Sequence, residues 1–222
     1  MKISEQLEIA ENLDAKAEEL AEIAKSEKSI VRQKVAKHPN CPITVQNYLS
    51  LDDDEQVRIN LGQNINLTEQ VQIKLLQDSD EVKKFLAYNP GLVSGIFDIL
   101  SEDTNKYIRS GIARNINCPI RLMSKLAKDE EEIVIEGIAE NISTPVDLLG
   151  IIFDTGYATK SLASNPNTPI DILTELSEDS FDEIRESVAG NPSTPIEILE
   201  ILIDDENLNV KNYAQENLDT RK

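Results

Sequence analysis

The sequence predicts an all-α solenoid of about eight two-helix repeats, each of 24–26 residues. Three observations carry this. Asn recurs at positions 12, 64, 89, 115, 141, 165, 191 and 217, with His38 in its place once. Proline follows this anchor directly at Pro39, Pro90, Pro166 and Pro192, and stands four residues after it at Pro42, Pro119, Pro145, Pro169 and Pro195. Apolar residues then keep constant offsets from the anchor on both sides, and a period of this length is the mark of a repeat architecture.

The elements follow from those offsets. Seven and three residues before the anchor stand pairs such as Val31/Val35, Val57/Leu61, Val82/Leu86 and Ile184/Val188. A spacing of four places each pair on one face of a first helix. After the anchor, Val45/Leu49, Val71/Leu75, Ile96/Leu100 and Ile198/Leu202 repeat the spacing and predict a second, shorter helix. Each Pro separates the two, because it lacks a donor inside a helix and is preset for the first turn of the next. Two residues before the anchor lies a small side chain, as at Ala36, Gly62, Ala87 and Ala189, which lets neighbouring helices approach closely. No stretch alternates with period two, so no strand is expected.

The chain is read as one repeat domain over 1–222. Residues 1–25 form a cap with a helix whose Leu20 and Ile23 face inward, 26–204 form seven repeats, and 205–222 form a capping helix. Short helices are marginal alone, so stacking must supply the stability.

With these residues placed, the phrase Ile184, Arg185, Val188, Ala189, Asn191, Pro192, Thr194, Pro195, Leu199 and Leu202 resembles the unit of the leucine-rich repeat variant family, a relative of HEAT and armadillo arrays. The resemblance implies a right-handed superhelix whose second helices are short and sometimes of 3₁₀ type. It weakens where Thr68 and Val93 replace the second Pro. A founding member of the family holds an iron–sulfur cluster on clustered cysteines. Cys41 and Cys118 stand three repeats apart instead, so no cluster, no other cofactor and no metal site is expected.

Composition narrows function. The net charge of -19 disfavours direct nucleic-acid binding, whose affinity comes chiefly from Lys and Arg on phosphates, and favours basic partners. No apolar run approaches a membrane span and no leader is apparent, which predicts a cytoplasmic monomer that does not contact membranes. The only histidine, His38, stands at an anchor and serves a turn, so no nucleophile–His set exists and no catalytic residue is nominated.

Candidate partner-binding residues come from two places. A basic column six before the anchor contains Arg32, Arg58, Lys83, Arg109, Arg185 and Lys211. It could bind an acidic row, but pairing of each base with the acid that opens its own helix, Asp52 with Arg58, Asp103 with Arg109 and Asp179 with Arg185, is preferred. The base and its acid are lost together at Thr159 and Thr155, although Ile135 keeps Asp129. The repeats that depart most from the pattern, Gly91 to Phe97 and Thr155 to Thr159, suggest an apolar contact patch of Leu92, Phe97 and Tyr157. The function expected is a non-catalytic scaffold for an extended or helical protein partner of basic or amphipathic character. The alternative is a solenoid enzyme or nucleic-acid-directed protein of the base-excision or chromophore-handling type.

Overall fold

The computed structural model describes residues 1–221 and forms two compact halves, Met1–Asn115 and the chain from Ile116 onward. Among the described residues there are seventeen helices and no strand. The first half contains α1 (Ile3–Glu11), α2 (Ala17–Ile23), α3 (Ser29–Lys37), α4 (Ile43–Leu49), α5 (Glu55–Gly62), α6 (Glu69–Leu75), α7 (Asp80–Ala87), α8 (Ser94–Leu100) and α9 (Lys106–Arg114). The second contains α10 (Ile120–Leu126), α11 (Glu132–Glu140), α12 (Val146–Phe153), α13 (Thr159–Ser164), α14 (Ile170–Leu176), α15 (Asp182–Gly190), α16 (Ile196–Leu202) and α17 (Leu208–Asp219). Odd-numbered helices are the first helices of the repeats, and even-numbered helices are the second.

First helices stack directly on one another, α3 on α5 and α5 on α7 in one half, α13 on α15 and α15 on α17 in the other. The second helices pack chiefly against the first helices that flank them in sequence. From α3 onward the predicted core column three before the anchor is buried: Val35, Leu61, Leu86, Ile112, Ile138, Leu162 and Val188 have no exposed surface, while Ile9 in the cap is half-buried. At about 2 kcal/mol for each fully buried aliphatic side chain, the two or three such residues of most of the short helices supply what their own hydrogen bonds do not. The small column is buried where the first helices meet, as at Ala36, Ala87 and Ala189. A close approach also lies outside the predicted column, at Gly111 four residues before Asn115, where a Cβ would lie 2.8 Å from that of Ala87.

Two local expectations change. The second helices are α-helical along their length, and Pro42, Pro119, Pro145, Pro169 and Pro195 occupy the N-cap rather than the first helical turn, with φ between -54° and -63°. Where the repeat is shortened, the chain compensates by turning through left-handed backbone at Gly156 (φ 74°) and Ala158 (φ 58°), which keeps Ala158 buried in the core column at the start of α13.

Candidate functional site

The anchor asparagines are buried fasteners. Asn191 donates from Nδ2 to the carbonyls of Ala163 and Asn165 in the preceding repeat, both at 2.8 Å, and its Oδ1 accepts from Ser193 N at 2.8 Å. Asn64, Asn89, Asn115, Asn165 and Asn217 make the same pair of donations one repeat back. Each carbonyl belongs to a helix C-terminus, where the last turn has no intrahelical donor. His38 fills the position with less. Its Nδ1 accepts from Asn40 N, which leaves the proton on Nε2, and Nε2 donates to Asn12 O at 2.9 Å. The sequence expectation of a turn role for His38 agrees with this geometry.

The basic column is also tied into the array, but with partners other than those expected. Arg58 holds the carboxylate of Asp78 in a fork at 2.7 and 3.1 Å, and takes only the backbone carbonyl of Asp52. Arg32 grips Asp52, Arg185 grips Asp205 at 2.7 and 3.0 Å, and Lys83 reaches Asp103 at 2.9 Å, each 20 residues onward. Arg185 and Arg109 likewise take the carbonyls of Asp179 and Asp103. The physical reason is geometric. The guanidinium fork matches both oxygens of one carboxylate; the loop before its own helix offers a carbonyl, and the next repeat offers the carboxylate. That carboxylate also closes its own loop, as when Asp205 accepts from Asn207 N and Asp52 from Asp54 N. Donation from Arg185 holds the Asp205 carboxyl below its ordinary range, and the same bonds to the carboxylate raise Arg185.

Gly91 to Phe97 has a structural explanation. Leu92 and Phe97 are 7% and 3% exposed and lie in the core, not on a surface patch. Leu92 shares its register with Cys41, Leu67 and Thr194, and Phe97 shares its with Met123, Leu149, Leu173 and Leu199, all buried. Two members of the second register are polar: Gln46 and Gln72. Gln72 Nε2 donates to Leu67 O and Gly91 O, while its Oε1 accepts from Val93 N at 2.9 Å. Gln46 does the same to Cys41 O, Asn66 O and Thr68 N. Within the seven repeats between the caps, Val93 and Thr68 are the two positions where the second Pro is missing. A Pro there would have no N–H to satisfy, so the buried glutamine of the preceding repeat and the absent proline form one compensated pair.

This pairing makes a prediction by double-mutant cycle. Gln72→Leu should lower stability by about 1–2 kcal/mol, because it strands Val93 N and two carbonyls. Val93→Pro suits the observed φ of -76° and ψ of 150° but strands Gln72 Oε1. The double variant recreates the chemistry of the other repeats and should recover most of the loss in denaturant titrations; additive losses would disprove the pairing.

Of the seven candidate residues, Tyr157 alone is exposed, at 49%, beside the left-handed Ala158. The two thiols are buried, and burial pushes both up to about 12, so neither is a thiolate at neutral pH. No helix of the described residues is long and apolar enough to cross a membrane.

Comparison with solved structures agrees with the geometry. A protein described as a leucine-rich repeat variant with a novel repetitive structural motif superposes with a TM-score of 0.55 at 18% identity, covering 96% of this chain and 86% of that one. The fold is a helical repeat array. Designed armadillo repeat proteins, one of them described as made for modular peptide recognition, also match over nearly the whole chain, but with TM-scores of 0.28 and 0.27 they add nothing to the assignment. No protein-family model matches the sequence, and neither does any curated protein.

The sequence reading missed how unevenly this array is charged. Residues 1–115 carry fourteen Lys and Arg against nineteen Asp and Glu, a net of -5, whereas residues 116–222 carry eight against twenty-two, a net of -14. The signal was present in the sequence and needed only the division between the halves to locate it.

Proposed function

We propose that the chain is a non-catalytic scaffold that binds another protein through repeated exposed side chains, and that the partner is basic. The observation that carries the second part is the net charge of -14 on residues 116–222. A field of that sign raises the encounter rate of cationic segments and opposes both nucleic-acid backbones and a second copy of the same half. The first part is supported by where the polar columns go. The Asn and Arg columns are spent on the array itself, so recognition falls to the outward columns, which recur in register once per repeat.

Selection of a random peptide library on the full chain at near-physiological salt tests this without presuming a face. Enrichment of Lys- and Arg-bearing peptides is expected. Enrichment of acidic peptides, or none at all, would count against the proposal.

A further inference from the structure

On α12, α14 and α16 the exposed positions hold only aliphatic, acidic and small residues, and the partly exposed Phe153 closes α12. The position after each Pro is an exposed aliphatic, Val146, Ile170 and Ile196, at 52%, 61% and 47%. The next is an exposed acid, Asp147, Asp171 and Glu197. Ile151 and Ile201 add exposed aliphatic surface on the far edge of the same arc, at 45% and 72%. None of the three helices contains a Lys or Arg. The face has an edge, since α10 carries Arg121 and Lys125 instead.

The anchor bonds of Asn165 and Asn191 set the successive repeats in register, so equivalent positions recur along the array. At 100° per residue the acid column lies between an aliphatic column at one edge of the exposed arc and, at the other, Ile151, Glu175 and Ile201. A segment crossing the three helices therefore meets apolar contact and negative charge in alternation, once per repeat.

We infer that this face is a docking surface for a protein segment in which aliphatic and basic residues alternate. The inference rests on the scaffold reading above and adds the place and the apolar requirement. Acids alone would make a soluble rim, and aliphatics alone would invite self-association; the combination selects against a second copy of this half, which brings the same charge. It also separates the binding surface from the sequence-designated residues, because none of Arg32, Arg58, Arg109 or Arg185 belongs to these columns.

The test uses the full chain and a labelled peptide of alternating Leu and Lys, about 18 residues and so up to about 60 Å long when extended. Two control peptides replace Leu by Ser or Lys by Glu. Saturable binding is expected for the Leu/Lys peptide, with each control weaker by at least about tenfold. Ile170→Ser with Ile196→Ser, and separately Asp147→Asn with Asp171→Asn and Glu197→Gln, should each weaken it by about tenfold. Ile43→Ser, an exposed equivalent in α4, should leave it unchanged, and circular dichroism checks that these surface changes preserve the helices. If the Leu/Lys peptide binds and the α12–α16 variants bind it equally well, the face is wrong while the scaffold reading stands. If the Ser/Lys peptide binds as tightly, the apolar requirement is wrong. If no cationic peptide binds, both readings fail.

Discussion

Asn191→Ala is expected to cost about 3 kcal/mol, among the largest losses available to one side chain in this protein. The substitution removes three hydrogen bonds at a site 1% exposed and strands the carbonyls of Ala163 and Asn165 together with Ser193 N. Burial decides the size, since an unmet polar group away from water carries the full desolvation penalty, whereas the net gain of an ordinary hydrogen bond is about 1 kcal/mol. Asn191→Asp should do no better than Ala. A carboxylate still accepts from Ser193 but faces the two carbonyls with no donor. His38→Asn, by contrast, should be tolerated, because His38 makes one donation where asparagine elsewhere makes two. Denaturant titration of the three variants gives the ranking.

Gly91→Ala should be comparably damaging, at roughly 3 kcal/mol. A Cβ there would lie 2.2 Å from the carbonyl oxygen of Ile65, which is backbone and cannot rotate away. In other repeats the same position carries Asn40, Asn66, Asn167 or Ser193, whose side chains donate to the equivalent carbonyl one repeat back. At Gly91 the carbonyl occupies the side chain's place, so Gly91→Ser should fail as well. Gly95, four residues on, is the internal control. Nothing lies within 4 Å of its added Cβ, and Gly95→Ala should stabilise α8 by up to about 1 kcal/mol through helix propensity. Opposite signs at the two glycines are the expected outcome in thermal unfolding.

The core columns were legible in the sequence because burial on a short helix leaves a period that survives substitution among Val, Ile, Leu and Ala. Val31/Val35 and Ile198/Leu202 needed nothing more than counting. Long polar side chains were not legible in the same way. Arg58 lies six residues after Asp52 and twenty before Asp78, both spacings recur with the repeat, and only the stacking of helices says which acid meets the fork. Leu92 and Phe97 looked like departures because the segment was compared as a whole with the polar, Pro-started helices of other repeats; position by position they share the register of Leu67 and Met123, which are ordinary core residues. The link between Gln72 and Val93 was visible as a coincidence of two exceptions, but its meaning required the hydrogen bond from Val93 N. The exposed row on α12, α14 and α16 was hidden for a related reason: aliphatics at a regular offset read as core until burial is known.

The central claim, that the repeating charged column belongs to the construction of the array, is tested most directly by a double-mutant cycle on Arg185 and Asp205. The pair is nearly buried, at 11% and 9% side-chain exposure, and doubly hydrogen bonded. Arg185→Ala and Asp205→Ala should each cost about 2 kcal/mol at neutral pH, and the double variant little more than either. The folded Asp205 carboxyl is held below its unfolded value of about 3.9. The coupling should therefore be complete above about pH 4 and fade as the pH falls through the lower, folded value. Denaturant titration of the four proteins across that range gives the coupling energy. A strong coupling that fades in acid is the predicted result; losses that simply add, or no loss at all from Arg185→Ala, would contradict the structural role of the column.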